Sequence, residues 1–237
     1  MQYNLEKPAL VKKGAIGLKA IEKWKRKTYL KNKFNNVLIN VEHYKSEKDL
    51  QMSKAKIKQV RFNDYINNLH NGWYIADCCL ENLDISKDIL EDLFNDNRPE
   101  EAAYHSLFLG KDTKSGCHLH VDQDFVIHQI VGNKIVYLLD FEQLEPRSLF
   151  SRYNNFSKKN FFTLDEAKYK ITRVELEPGD MLFIPPWTWH AVENVGYSIA
   201  VTKAFDRNKD YLNEKRFKKL KTRNKLQKII DFFSNLY

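Results

Sequence analysis

The stretch HLHVD at residues 118–122 decides how this sequence is interpreted. In a β-strand, side chains two positions apart point to the same face, so His120 and Asp122 could bind a single metal ion. His118 has the same parity as these two residues. The stretch therefore offers three candidate ligands, and the third member of the ligand set stays open.

A second segment, PGDMLFIPPWTWH at residues 178–190, supplies a further histidine. It begins as a turn, continues as a short apolar strand, and then reaches two consecutive prolines, which lack the N–H donors needed for strand pairing. His190 follows this rigid corner. Together with His120 and Asp122 it gives two imidazoles and one carboxylate, the ligand set of many non-haem Fe(II) sites.

Both segments, with the GNK at residues 132–134, resemble the JmjC-type (cupin-like) Fe(II)- and 2-oxoglutarate-dependent oxygenases. The nearest branch is that of the asparaginyl hydroxylase that inhibits hypoxia-inducible factor. The resemblance extends over residues 106–205. It implies a mainly β fold with flanking helices, in which the core is a cupin-type jelly roll or double-stranded β-helix.

This resemblance implies roles for particular residues. His120, Asp122 and His190 would be the catalytic iron ligands, and Fe(II) and 2-oxoglutarate would be the cofactor and cosubstrate. Lys134 matches the family lysine that pairs with the far carboxylate of 2-oxoglutarate, which needs a cation when it is buried.

Three further positions would contact the cosubstrate on the same grounds. Tyr74 resembles a family tyrosine whose hydroxyl binds 2-oxoglutarate, and Thr202 occupies a place where relatives often carry an asparagine. Cys117 stands where many relatives have a threonine, and a thiol is a weaker donor than a hydroxyl. Phe125 is a further departure, because the asparaginyl hydroxylase has an asparagine near this position.

The activity that the resemblance implies is hydroxylation of a protein or peptide side chain, with formation of succinate and carbon dioxide. Demethylation of methyl-lysine uses the same chemistry and stays open. The metal supplies the difficult chemistry in either reaction, and the protein supplies orientation.

The same residues also resemble the two sequence motifs shared by cupins in the broad sense. In that alternative, His118, His120 and His190 bind the metal with an acid such as Asp124. The protein would then be a dioxygenase that does not use 2-oxoglutarate, an isomerase, or a ligand-binding cupin.

Composition predicts one domain that is not inserted in a membrane. The chain has 237 residues, a net charge of +8 and three cysteines, which do not have the spacing of a zinc site. No apolar stretch has the length of a transmembrane helix, and the first residues do not resemble a signal peptide, which favours the cytoplasm, with the nucleus as an alternative.

The single domain has three predicted parts. Residues 1–103 form an N-terminal elaboration of helices and strands, and residues 104–205 form the catalytic jelly-roll core. Residues 206–237 are predicted to form basic, amphipathic C-terminal helices. By resemblance these helices would form a homodimer, and their basic charge makes them the candidate segment for binding nucleic acid.

Local patterns within the N-terminal part predict two longer helices. Apolar residues recur with helical spacing in residues 15–31 and again in residues 56–71. Strands are predicted at residues 37–41 and 73–79.

Overall fold

Antiparallel strands dominate the architecture. The structure is a computed structural model that describes residues 6–52, 54–69, 72–93, 102–144, 155–157 and 159–206. The strands are β1 (Ala9–Val11), β2 (Leu38–His43), β3 (Lys56–Arg61), β4 (Trp73–Cys79), β5 (Tyr104–Lys111), β6 (His118–Leu119), β7 (Gln123–Asp140), β8 (Asn155–Phe156), β9 (Thr172–Leu176), β10 (Met181–Ile184) and β11 (Thr188–Asp206). The helices are α1 (Lys19–Lys23), α2 (Lys27–Phe34), α3 (Glu47–Met52), α4 (Phe62–Asn67) and α5 (Asp88–Glu91). The predicted C-terminal helices, beyond Asp206, lie outside the described residues.

The strands hydrogen-bond in the order β1-β10-β7-β11-β5-β4-β2-β3. Strand β9 pairs with β7, and β6 pairs with both β11 and β8. Within the described ranges all of these strand pairs are antiparallel. A mainly antiparallel sheet with few helices is consistent with the predicted jelly roll.

Strands β7 and β11 form one long ribbon with an irregular bend near its middle. They pair along nearly their whole lengths, and the register shifts between Val195 and Ile199. Gly132 lies at this point with φ +65, and a Cβ added there would be 1.9 Å from the carbonyl oxygen of Tyr197. Only glycine fits a left-handed backbone in such close contact with a neighbouring strand.

Apolar clusters pack on both faces of this ribbon. On β11, Val201 belongs to a cluster formed with the N-terminal helices, whereas its neighbour Ala200 belongs to a second cluster with Phe125 and Ile184. Successive strand residues point to opposite faces, so the helices cover one face and the second cluster lies inside the barrel. Among the described residues, no helix has the length and apolar character needed to cross a membrane.

The helix predicted at residues 15–31 is interrupted. Helix α1 ends before Trp24, and α2 begins after Arg26, whose backbone is extended (φ −92, ψ 108). Most of the predicted apolar stripe is nevertheless buried, since Ala20 and Trp24 have no exposed surface, but Ile16 is 66% exposed. The interruption lets side chains of both helices meet one acceptor, Asp92.

The prediction of a helix at residues 56–71 is wrong in its first half. Strand β3 pairs with β2 along its full length, from Lys56 opposite His43 to Arg61 opposite Leu38. The helical pattern belongs only to α4, which follows directly. Pairing with a neighbouring strand has overridden the local pattern, because strand formation depends strongly on the tertiary context. The strands predicted at residues 37–41 and 73–79 are confirmed as β2 and β4, the first with shifted ends.

A buried carboxylate joins the first two helices to α5. Asp92 is 1% exposed and accepts hydrogen bonds from Lys23 Nζ (2.6 Å), Trp24 Nε1 (3.1 Å) and Tyr29 Oη (2.5 Å). The backbone carbonyl of Asp92 also accepts from the amide of Ala20 at 3.0 Å. Asp92 therefore holds the helical layer against the sheet.

We expect Asp92→Ala to destabilise the protein by about 3 kcal/mol, because it leaves three donors without their buried acceptor. Urea unfolding would measure the change. Asp88→Ala is the matched control: Asp88 pairs with Lys33 at an exposed position, and such pairs contribute little. Equal losses for the two variants would contradict the role assigned to Asp92.

Candidate metal centre

Three histidines converge at the end of the barrel. His118 lies on β6 directly opposite His190 on β11, and His120 follows β6 by one residue. Their ligand nitrogens all lie within 4.8 Å of one another. The ring centroids of His118 and His190 are 4.3 Å apart, and each lies 5.2 Å from that of His120. This His-His-His arrangement fits a metal-binding site.

Backbone carbonyls orient two of these imidazoles. Nδ1 of His118 lies 2.9 Å from the carbonyl oxygen of Gly116, and Nδ1 of His190 lies 3.0 Å from that of Thr188. A carbonyl can only accept, so Nδ1 carries the proton in both rings. Nε2 then keeps its lone pair, which is the state that a metal ion requires.

Burial also keeps these two rings neutral. It lowers the pKa of His118 below its usual range, and it lowers that of His190 further, with a smaller contribution from the charges of His118 and His120. Neutral imidazoles are competent ligands near pH 7 without losing a proton first.

The corner before β11 fixes His120. Trp187 has φ +64, a left-handed conformation that is rare for a bulky residue. Its amide donates to the carbonyl oxygen of His120 at 2.8 Å, and its indole packs edge-on against Phe141 at 5.1 Å. This strained corner, whose cost is of the order of 1–3 kcal/mol, holds His120 beside His190.

Asp122 lies outside the histidine cluster. Strand β6 ends at Leu119, and residues 120–122 form a bend before β7, so the strand alternation expected for this stretch does not hold. The Asp122 side chain is 3% exposed, and its charge is among those that raise the pKa of Tyr104. The structure thus brings His120 and His190 together and adds His118 to them.

A cavity of about 120 Å³ lies beside the three histidines. Its walls include Tyr74, Lys134 and Thr202, which the sequence singled out, together with apolar side chains such as Phe125 and Ile127. The candidate metal site and the candidate cosubstrate residues therefore share one pocket.

Lys134 is a buried cation in this cavity. It is 2% exposed, and its Nζ lies 3.4 Å from the hydroxyl of Tyr74. The same Nζ lies over the rings of Tyr74 and Phe108, at 5.7 and 5.8 Å from their centroids. No carboxylate in the described part of the chain is within ion-pair distance of it. Burial lowers the pKa of Lys134 to about 7. An anion entering the cavity would find an amine and a hydroxyl already in place, and its charge would favour the protonated form of Lys134.

Comparison with known proteins identifies the fold. The family model for the cupin-like domain matches residues 2–211. The chain belongs to the cupin-like domain family. It is also 26% identical over 192 residues to JmjC domain-containing protein D of Dictyostelium discoideum, covering 73% of this chain and 41% of that protein.

A solved structure supports the same fold. The X-ray structure of E. coli ycfD matches 88% of this cupin-like domain and 52% of the other chain, with a TM-score of 0.58 and 15% identity. The domain spans about half the length of these relatives or less. The similarity to ycfD therefore concerns the fold alone.

The cavity of the cupin-like domain also contains two acidic residues that the sequence analysis did not single out. Glu42 and Asp77 both line it. Asp77 has φ 49 in an irregular part of β4 and accepts a hydrogen bond from Ser106 Oγ at 2.7 Å. Burial and the charge of Asp77 raise the pKa of Glu42. No motif links these residues in sequence, so only the folded sheet brings them together.

Cys117 lies away from the cavity wall. It is buried in an apolar cluster with Leu119 and Trp189, and burial raises the pKa of its thiol well above the usual range.

Asn194 is a further buried neighbour of Lys134. It is the direct partner of Lys134 in the pairing of β7 with β11, and its side-chain amide donates a hydrogen bond to Thr113 Oγ1 at 2.7 Å.

Proposed function

We propose that this cupin-like domain is an Fe(II)- and 2-oxoglutarate-dependent oxygenase that hydroxylates a protein side chain, as in the asparaginyl hydroxylase branch it resembles. The observation that carries the proposal is the buried amine of Lys134, which has no carboxylate within ion-pair distance among the described residues and lies in the same cavity as the histidine cluster. A buried charge is costly unless it is paired, so this cavity is suited to a carboxylate ligand.

The residues present fit both groups. Imidazole nitrogens are good ligands for iron, and Nε2 of His120 and His190 would hold the ion with a third ligand that the sequence offers twice, in His118 and Asp122. Lys134 and the hydroxyls of Tyr74 and Thr202 would bind the far carboxylate of 2-oxoglutarate.

The chain's own contribution is binding, orientation and exclusion of water. With dioxygen as the oxidant, bound iron and 2-oxoglutarate would supply the hydroxylation of a C–H bond, with succinate and carbon dioxide as the other products. Phe108, Phe125 and Ile127 line the cavity and limit the access of water to it. The Nδ1 hydrogen bonds of His118 and His190 keep their rings oriented toward the common centre.

A second candidate function is favoured by one observation. The three histidines form a compact set without Asp122, which is what a broader cupin metalloprotein would use. Such a protein would bind a metal and act on its substrate without 2-oxoglutarate.

One assay separates the two candidates. Protein reconstituted anaerobically with Fe(II) would be exposed to air with 2-oxoglutarate and a peptide mixture, and succinate and peptide mass would be measured. We expect iron-dependent succinate and peptides heavier by one oxygen atom. Metal-free protein and reactions lacking 2-oxoglutarate are the controls. Absence of iron-dependent succinate from protein that binds iron would overturn the oxygenase proposal and favour the second candidate.

A further inference from the structure

We propose that the cavity recognises a cationic side chain, that of a lysine or an arginine in a protein substrate, and that Glu42 and Asp77 bind its positive charge. The inference deepens the proposed function and rests on it only for the use of this cavity as a substrate site. A target of this kind differs from asparagine, whose side chain is neutral.

Strand pairing turns Glu42 toward the cavity. Glu42 on β2 is the direct partner of Tyr74 on β4, and side chains of direct partners lie on the same face of a sheet. The Tyr74 hydroxyl lies 3.4 Å from Lys134 Nζ in the cavity, so this face is the cavity face. The next residue, His43, stacks on Trp73 instead, as strand alternation requires. Within the described part of the chain, the Glu42 carboxylate has no hydrogen bond or ion pair.

An irregularity in β4 brings Asp77 to the same cavity. The register with β5 shifts between Ile75 and Cys78, and Asp77 has φ 49 in this stretch. Asp77 Oδ1 accepts a hydrogen bond from Ser106 Oγ, and Ser106 is the direct partner of Thr202, which lines the cavity. Asp77 Oδ2 has no hydrogen-bond partner among the described residues. Bulges beside functional sites redirect side chains in this way.

The two acids are separated from Lys134 and lie toward the histidine cluster. Burial alone lowers the pKa of Lys134, so neither acid is near enough to stabilise its charge. Burial also lowers the pKa of His118, but there the charge of Asp77 partly opposes the fall. A cationic side chain held by the acids would therefore have its carbon atoms beside the candidate metal centre, while Lys134 stays available for an anion.

An independent feature marks this cavity as a ligand site. His190 lines it and is 6% exposed, and its Nε2 has no hydrogen-bond partner within the described residues. A buried polar atom without a partner is costly unless a ligand satisfies it. Glu42 and Asp77 are thus part of the wall of a ligand cavity and do not form an isolated acidic patch.

The other walls fit the rest of a lysine or arginine side chain. Phe108 and Phe156 line the cavity and would contact the methylene groups, and Tyr44 adds an aromatic ring and a hydroxyl. Burial and the charge of Asp77 raise the pKa of Glu42, and a bound cation would offset both effects. The whole chain carries a net charge of +8, so its overall field repels cations. Preference for a cation would therefore come from these local acids.

NMR titrations of the isotope-labelled, metal-free protein test the assignment. The probes are Nα-acetylarginine amide and Nα-acetyllysine amide, each compared with a neutral counterpart, Nα-acetylcitrulline amide and Nα-acetylnorleucine amide. We expect at least one cation to bind about tenfold more tightly than its counterpart, which lacks the charge-assisted hydrogen bonds. Equal affinities within both pairs would overturn the proposal. Tighter binding of free L-arginine or L-lysine than of the amides would overturn the assignment to a protein side chain.

A charge-removing variant assigns the effect to one residue. Glu42→Gln keeps the shape of the side chain, and we expect it to lower the affinity for the preferred cation about tenfold and to leave the neutral counterpart unaffected. Glu175→Gln is the matched control, because Glu175 is 70% exposed, pairs with Arg173 and does not line the cavity. An unchanged cation affinity in Glu42→Gln would overturn the role of Glu42.

These titrations are independent of the oxygenase assay, because they use neither iron nor 2-oxoglutarate. Cation binding by a protein that makes no succinate would leave this inference standing and reject the proposed oxygenase. Iron-dependent succinate from a protein that does not prefer cations would do the reverse.

Discussion

Replacing His190 with alanine is expected to lower iron-dependent succinate formation by about a thousandfold or more. His190 is the buried member of the cluster and faces both other histidines, at ring-centroid distances of 4.3 and 5.2 Å. A bound metal contributes several kcal/mol to stabilising the transition state, and about 4 kcal/mol corresponds to a factor of one thousand. Succinate release from 2-oxoglutarate under air would measure the effect.

The matched control is His43→Ala. His43 also binds a backbone carbonyl through Nδ1, that of Gly72 at 2.9 Å, but it packs on Trp73 and does not line the cavity. We expect this variant to keep its activity. If His190→Ala melted at the wild-type temperature and still formed succinate at the wild-type rate, His190 would not be an iron ligand.

Replacing Lys134 with methionine is expected to weaken 2-oxoglutarate binding to the metal-loaded protein by about a hundredfold. Hydrogen bonds to charged groups contribute about 1.5–3 kcal/mol, and the methionine side chain has a similar shape but no charge. The same variant should be more stable than wild type without ligand, because a buried cation without a nearby carboxylate is costly. Calorimetric titration and urea unfolding would measure the two effects.

Lys203→Met is the control for Lys134→Met. Lys203 is also buried, but it lies on the opposite face of the sheet and donates to the carbonyl oxygen of Leu93 at 2.9 Å. We expect its loss to destabilise the protein and to leave 2-oxoglutarate affinity unchanged. Equal 2-oxoglutarate affinities for wild type and Lys134→Met would reject Lys134 as the anion-binding residue.

The pH dependence of stability provides a second measurement on Lys134. Its pKa falls from an ordinary value of 10.5 to about 7 in the folded protein. Between these two values the unfolded chain holds a proton on this amine that the folded protein has released. Since the unfolded state binds more protons, the free energy of unfolding contributed by Lys134 rises with pH across this window.

Below pH 7 both states are protonated, and the penalty for burying the charge is present in full. From pH 7 to pH 9.5 the rise would be roughly 3 kcal/mol, at 1.36 kcal/mol for each pH unit. Lys134→Met should lack this rise, so the difference between the two proteins isolates it from all other groups. Parallel stability curves for the two proteins would contradict the burial of a titrating Lys134.

Sequence reasoning could place those functional residues that lie within short local motifs. His120, His190 and Lys134 each belong to a short pattern in which a turn or a proline corner lies beside the functional residue. The structure places all three around one cavity. The geometry of such local patterns can be predicted from sequence, because a turn fixes the position of the residue that follows it.

The position of Asp122 relative to the three histidines could not be decided from sequence because it depends on where a strand ends. Alternation makes His118, His120 and Asp122 equivalent if the strand continues. Strand β6 stops at Leu119, where its pairing with β11 and β8 ends. The Trp187 amide then donates a hydrogen bond to the carbonyl oxygen of His120. These are contacts between distant parts of the chain, and no local pattern encodes them.

The acids of the cavity were missed for a similar reason. Glu42 lies on β2 and Asp77 on β4, and both enter the pocket only because these strands are added beyond β5 to the main sheet. The failed helix prediction at residues 56–61 has the same origin, since β3 is a strand only through its pairing with β2.

The bend in the ribbon of β7 and β11 determines how far apart two residues of β11 lie in the cavity. His190 and Thr202 line the same cavity although both belong to β11, and in a straight strand they would be roughly 40 Å apart. The number of residues on either side of the bend at Gly132 therefore sets the separation between the histidine cluster and Thr202 in the cavity. A one-residue insertion on either side of the bend would turn every side chain beyond it to the opposite face of the sheet, so it would move His190 or Thr202 out of the cavity.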